Sequence, residues 1–111
     1  MFASNLPTVT AADVPADAYL LDVREADEWT AGHAPDAHHL PMMEVPARMA
    51  EIPSDAYVVV ICRSGGRSGQ VVGYLMNNGW DNVRNLDGGM RQWAAAGRPL
   101  ASEDGQPARV I

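Results

Sequence analysis

The stretch Tyr57-Val58-Val59-Val60-Ile61-Cys62-Arg63-Ser64-Gly65-Gly66-Arg67-Ser68 decides how this chain is read. Its first five residues are rich in β-branched side chains and show no polar alternation, the pattern of a strand buried on both faces in a parallel sheet. From Arg67 to Asn78 the pattern changes. Val71, Val72, Leu75 and Met76 recur at three- and four-residue spacing, which predicts a helix ending near Asn78-Gly79. Cys62 to Ser68 therefore joins a strand to a helix. Ligands of open α/β sheets bind just beyond the carboxyl ends of strands, so this junction is the expected site.

On both sides of this unit strands and helices alternate. Ala11 to Ala18 suits a helical turn, and Tyr19-Leu20-Leu21-Asp22-Val23 reads as a buried strand. Glu25-Ala26-Asp27-Glu28-Trp29 sets three acids where the positive end of a helix favours them, with Gly32 as its stop. Pro35 and Asp36 form a turn, and Asp36 tolerates left-handed backbone. Ala37 to Leu40 is a short strand, and Met43 to Ala50 is helical. Val83 to Leu86 is a further strand, after which Asp87 can cap a last helix carrying Met90, Trp93 and Ala94. Met1 to Thr10 is a neutral lead-in. The tail from Ala101 to Ile111 is polar with Gly and Pro, a composition that suits partial disorder. The alternation predicts an α/β domain with a mainly parallel sheet.

A length of 111 residues fits one domain, 1–111, with its core over about 9–99. The 47% hydrophobic content is enough for a core that needs neither disulfides nor a structural metal. A net charge of −6 argues against a general nucleic-acid binder, which requires a basic footprint. Cys62 is the single cysteine, so no intramolecular disulfide can form. A reducing, cytoplasmic setting is the natural expectation. The N-terminus has neither a positive segment nor an apolar stretch of signal-peptide type, and no apolar run reaches the length of a membrane span. No nucleotide, flavin or metal signature appears, so neither a cofactor nor a metal is expected.

The residue types of the junction make sense together. Gly65 and Gly66 let the backbone turn tightly, so that several N–H groups point at one centre. The following helix presents its positive end there, and Arg63 and Arg67 add two cations. A thiol in such surroundings ionises more readily than the free one, whose pKa is about 8.5. A lone cysteine at a strand end is ordinarily a small buried hydrophobe. Two glycines and two arginines around an inert core cysteine would have no packing purpose, so Cys62 reads as a thiolate nucleophile beside an anion cradle. Asp22 closes the strand starting at Tyr19, and Asp87 the one starting at Val83. If the strands are parallel they share an edge with Cys62, where an acid can orient a loop arginine or loop N–H groups.

Over roughly Val9 to Pro99 the sequence resembles the rhodanese family. The resemblance is carried by Leu21-Asp22-Val23-Arg24 with Glu25 and Glu28, by Gly32-His33-Ala34-Pro35-Asp36-Ala37, by the Cys62–Ser68 loop, and by Leu86-Asp87-Gly88-Gly89-Met90 with Trp93. It implies a central, mainly parallel five-stranded sheet flanked by helices. It also implies a sulfurtransferase that moves sulfane sulfur from thiosulfate or a similar small anionic donor, through a Cys62 persulfide, to cyanide, a thiol or a protein acceptor. In that scheme Cys62 is catalytic, and Arg63, Ser64, Gly65, Gly66, Arg67 and Ser68 bind the donor and the persulfide. Arg67, at the helix start, is favoured over Arg63, and Asp22 and Arg24 support the loop.

Two rivals are weaker. Cysteine-dependent phosphatases place an arginine six positions after the cysteine, whereas here Arg67 stands five after Cys62 and the sixth position is Ser68. A non-catalytic binding module would not need an intact Cys62 loop, although a persulfide relay between proteins would. His38 and His39 lack ligand spacing and read as structural or surface residues, and His33 reads as a hydrogen-bonding brace. Trp29 and Trp93 sit at helical core spacing and read as packing.

Overall fold

A computed structural model describes residues 6–111. The first half of the Met1–Thr10 lead-in and the N-terminal end judged for a signal peptide lie outside the described residues. Five strands, β1 (Thr8–Val9), β2 (Tyr19–Asp22), β3 (His38–His39), β4 (Val58–Ile61) and β5 (Val83–Leu86), form one sheet in the order β1-β5-β4-β2-β3. Every pairing in it is parallel. The helices are α1 (Ala26–Ala31), α2 (Val45–Arg48), α3 (Gly66–Asn77) and α4 (Gly89–Ala95). Among the described residues three 3-10 turns add to them, at Ala11–Asp13 and on either side of α2. No helix among the described residues is long and apolar enough to cross a membrane.

The all-apolar β4 is the centre of the sheet, and its side chains divide by the two-residue period of a strand. Val58, Val60 and Cys62 join Val71, Val72 and Leu75 of α3 in one cluster. Val59 and Ile61 join Met90 and Trp93 of α4 in the other. All four residues of β4 are fully buried, which is why its sequence lacks alternation. The register pairs Asp22 with Ile61, so β2, β4 and β5 end along one edge of the sheet.

Several expectations need correction. The lead-in contains a strand, β1, too short to leave a hydrophobic signature; it is fixed by Asn85 N–H donating to the Pro7 carbonyl (2.8 Å) and Asp87 N–H to that of Val9 (2.8 Å). Asp87 is exposed and does not cap α4: the N-cap is Gly88, and no side chain bonds there. The turn at Pro35-Asp36 closes by Ala37 N–H donating to the Ala34 carbonyl (3.1 Å), and Asp36 is not left-handed.

The tail is also more ordered than its composition suggests. His33 and Ala101 exchange backbone hydrogen bonds of 2.9 and 2.8 Å, and Glu103 and Arg109 N–H groups donate to the carbonyls of Thr30 and Ala31. These bonds answer free carbonyls at the end of α1. Gly32 ends that helix with extended backbone. A side chain there would strike the Arg109 backbone, 2.2 Å from where a Cβ would stand.

Asp22 and Arg24 are fully buried and paired. Arg24 Nε and Nη2 donate to the Asp22 carboxylate at 2.9 and 2.8 Å, and Nη2 also donates to the Gly32 carbonyl at 2.7 Å. Removing one partner strands the other charge in the interior. Asp22→Asn is expected to lower the unfolding free energy by about 3–5 kcal/mol in urea titrations, and the double change Asp22→Leu/Arg24→Met to recover most of it.

Candidate active site

Cys62 follows β4 directly and is 1% exposed. Burial pushes its thiol up, but hydrogen bonds from the Ser68 hydroxyl and from the backbone N–H groups of Ser68, Gly65 and Ser64 outweigh this and hold it below its ordinary value. Gly65 N–H lies 3.0 Å from Sγ and the Ser68 hydroxyl 3.2 Å. The chain thus curls around the sulfur with donors inward, and α3 begins on the same turn. These donors favour the charged form of the buried sulfur over the neutral one.

The two glycines of the loop do different work. Gly65 adopts φ +110°, a left-handed geometry that reverses the chain. Gly66 is the first helical residue, with nothing within 4 Å of a Cβ placed on it. The expectation that both are needed for the turn is therefore corrected to Gly65 alone.

The loop is held from behind by α4. Met90 N–H donates to the Cys62 carbonyl (2.8 Å) and Arg91 N–H to the Arg63 carbonyl (3.1 Å). Gly89 makes this approach possible, because a Cβ there would lie 2.4 Å from the Cys62 oxygen. With these carbonyls engaged outward, the loop can aim its N–H groups at the sulfur.

The arginines are placed unequally. Arg67 donates from both Nη atoms to Glu28 on α1, at 2.7 and 2.9 Å. This hydrogen-bonded pairing holds the Glu28 carboxyl at about 2 and raises the guanidinium. Glu28 thus contributes stability that is complete above its ordinary value of 4.5 and is lost as pH falls toward 2. Arg63 is exposed and donates from Nε to the Ile111 carbonyl (3.0 Å). Ser64 is exposed beside it, and Ser68 is wholly buried. Asp22 ends the strand next to β4 and Arg24 follows it, but their side chains bond to each other and to the Gly32 carbonyl at the end of α1 rather than to the sulfur or its loop. His33 braces α1 against the tail, with Nδ1 at 2.8 Å from the Ala34 carbonyl and Nε2 at 2.8 Å from Glu103. Trp29 stacks on His33 (3.6 Å) and on His39 (4.8 Å), and His38 stacks on Tyr19 (4.1 Å).

Sequence reasoning missed Asn85. Its Nδ2 donates to the Gly65 carbonyl at 3.2 Å, and the Ser68 hydroxyl lies 2.5 Å from its Oδ1. An asparagine inside a strand is unfavourable, and that was the available signal.

The described pattern "Rhodanese-like domain" matches residues 8–96. A "Sulfurtransferase" of Allochromatium vinosum is 47% identical over 89 residues, covering 80% of this chain and 83% of that protein. A "Putative sulfurtransferase YtwF" of Bacillus subtilis is 42% identical over 73% of this chain and 78% of its own length. Among solved structures, a rhodanese-related protein of Thermoplasma volcanium superposes with a TM-score of 0.81 at 28% identity, over 86% of this chain and 97% of that one. A thiosulfate sulfurtransferase of Pseudomonas aeruginosa gives 0.80 at 30% identity, over 97% of this chain and 22% of that one.

The unequal glycines give a direct test by chemical denaturation. Gly65→Ala is expected to lose about 1–2 kcal/mol of stability, the cost of a left-handed alanine. Gly66→Ala should lose none, since alanine is the better helix former.

Proposed function

The chain belongs to the rhodanese-like domain family, and we propose that it is a thiosulfate-type sulfurtransferase carrying sulfur as a persulfide on Cys62. The observation that carries this reading is a single, buried thiol ringed by N–H and O–H donors, its pKa lowered despite burial. The thiolate attacks the outer sulfur of thiosulfate. The donor S–S bond breaks, and sulfite leaves with the bonding pair. The loop N–H groups hold the anionic outer sulfur of the persulfide. Cyanide or a thiolate, small or on a protein, then takes that sulfur and returns Cys62 as thiolate. This double displacement has a covalent intermediate and ping-pong kinetics. It runs without a cofactor, and a reducing cytoplasm suits a cysteine that must return to its thiolate.

The arginine placement favours Arg63 as the cation that meets the donor. Arg67 would have to release a two-bond pair with Glu28 to do so, whereas Arg63 stands exposed beside the loop. The phosphatase alternative is opposed by Ser68. The position where such enzymes carry an arginine holds here a wholly buried hydroxyl bonded to the sulfur.

Sulfite release and cyanide-dependent thiocyanate formation from thiosulfate test the proposal, with intact mass read in parallel. Expected are a mass gain of one sulfur and turnover, both abolished by Cys62→Ser. Persulfide without turnover would make the protein a relay for a different acceptor. No sulfur gain from thiosulfate or 3-mercaptopyruvate would sink the reading. Arg63→Ala should raise KM for thiosulfate roughly tenfold with little change in kcat, the loss expected for one charged hydrogen bond.

A further inference from the structure

The Ser68 hydroxyl has one hydrogen and two acceptors, Cys62 Sγ at 3.2 Å and Asn85 Oδ1 at 2.5 Å. The Asn85 amide cannot turn over to relieve this, because its Nδ2 donates to the Gly65 carbonyl. A flipped amide would set two carbonyl oxygens against each other. Oδ1, which only accepts, is therefore what faces Ser68. With a neutral thiol every group is satisfied: S–H donates to Ser68 Oγ, and Ser68 O–H donates to Asn85. A thiolate only accepts, so the hydroxyl must turn to the sulfur. Ser68 Oγ and Asn85 Oδ1 are then left facing each other with lone pairs alone.

We propose that Asn85 is a positioning residue that competes with the Cys62 sulfur for the Ser68 proton. It draws the hydroxyl away while Sγ is neutral and yields it when Sγ carries charge. This rests on the sulfur-transfer reading, in which Sγ alternates between a thiolate and the uncharged bridging atom of a persulfide. When the persulfide forms, the charge moves to the outer sulfur and the hydroxyl swings to Asn85. When the acceptor takes the sulfur, the hydroxyl swings back. The O–H bond stays intact throughout, and only its direction changes.

The competition makes Cys62 less acidic than its donors alone would. Thiolate reactivity, read as the pH profile of iodoacetamide alkylation, tests this without any sulfur donor. Asn85→Ala and Asn85→Val are expected to shift the midpoint down, raising the thiolate fraction at a fixed lower pH roughly three- to tenfold, the worth of one hydrogen bond. Asn85→Val places a better strand former in β5 and keeps the test readable if Asn85→Ala unfolds. Ser68→Ala should shift the midpoint up, and in that background the Asn85 changes should do nothing further. A mere brace of the Gly65 carbonyl predicts the reverse: loosening the loop withdraws Gly65 N–H and lowers the thiolate fraction, with or without Ser68. Either a fall in reactivity or an equal effect in the Ser68→Ala background overturns the proposal. A wild-type protein that takes no sulfur but keeps this Asn85 dependence would sink only the sulfur-transfer reading.

Discussion

A buried sulfur that is to carry charge needs donors, and this molecule supplies them by turning peptide planes inward. A peptide plane can do so only if its neighbours' carbonyls find partners on the other side. The start of α4 meets that condition, with Met90 and Arg91 N–H groups on the carbonyls of Cys62 and Arg63. The contact requires the absence of a side chain at Gly89. Loop shape, thiol acidity and the placement of α3 all follow from this backbone embrace, which joins two segments that are distant in sequence.

Around it stand two ion pairs of different character. Asp22–Arg24 is sealed from solvent and ties β2 to the end of α1 through the Gly32 carbonyl. A pair so buried gains little over apolar packing of the same volume, but losing one partner leaves the other charge uncompensated. Glu28–Arg67 is partly open and ties α1 to the first turn of α3. It engages both terminal nitrogens of Arg67, whereas Arg63 is exposed and bonds through Nε to the Ile111 carbonyl.

Much of this was legible in the sequence. The apolar run over Tyr57–Ile61 announced a strand buried on both sides, and the abrupt change to Arg-Ser-Gly-Gly-Arg announced a built loop. Both are signals of local pattern, which is what a sequence displays. What stayed hidden depends on partners far along the chain. Arg67 looked free because Glu28 lies on another helix. Gly65 and Gly66 looked alike because only the fold shows which one reverses the chain. The polar tail looked loose because its backbone bonds to α1 leave no trace in its composition. Asn85 is an intermediate case. Its misfit in a strand was visible, but its purpose was visible only once Ser68 and Gly65 stood beside it.

The parallel order of the sheet has a consequence for the life of the chain before it is folded. Thr8 pairs with Asn85, so β1 and β5 meet only once the chain extends past residue 85. The groups that embrace the Cys62 loop, Asn85 and the start of α4, come from the same late segment. Non-local pairing of this kind forms slowly, and a chain emerging from synthesis must wait for it. Until then the Cys62 thiol has only the acidity of a free cysteine, about 8.5. The hydrogen bonds that hold it lower are set in place only once this late segment has docked.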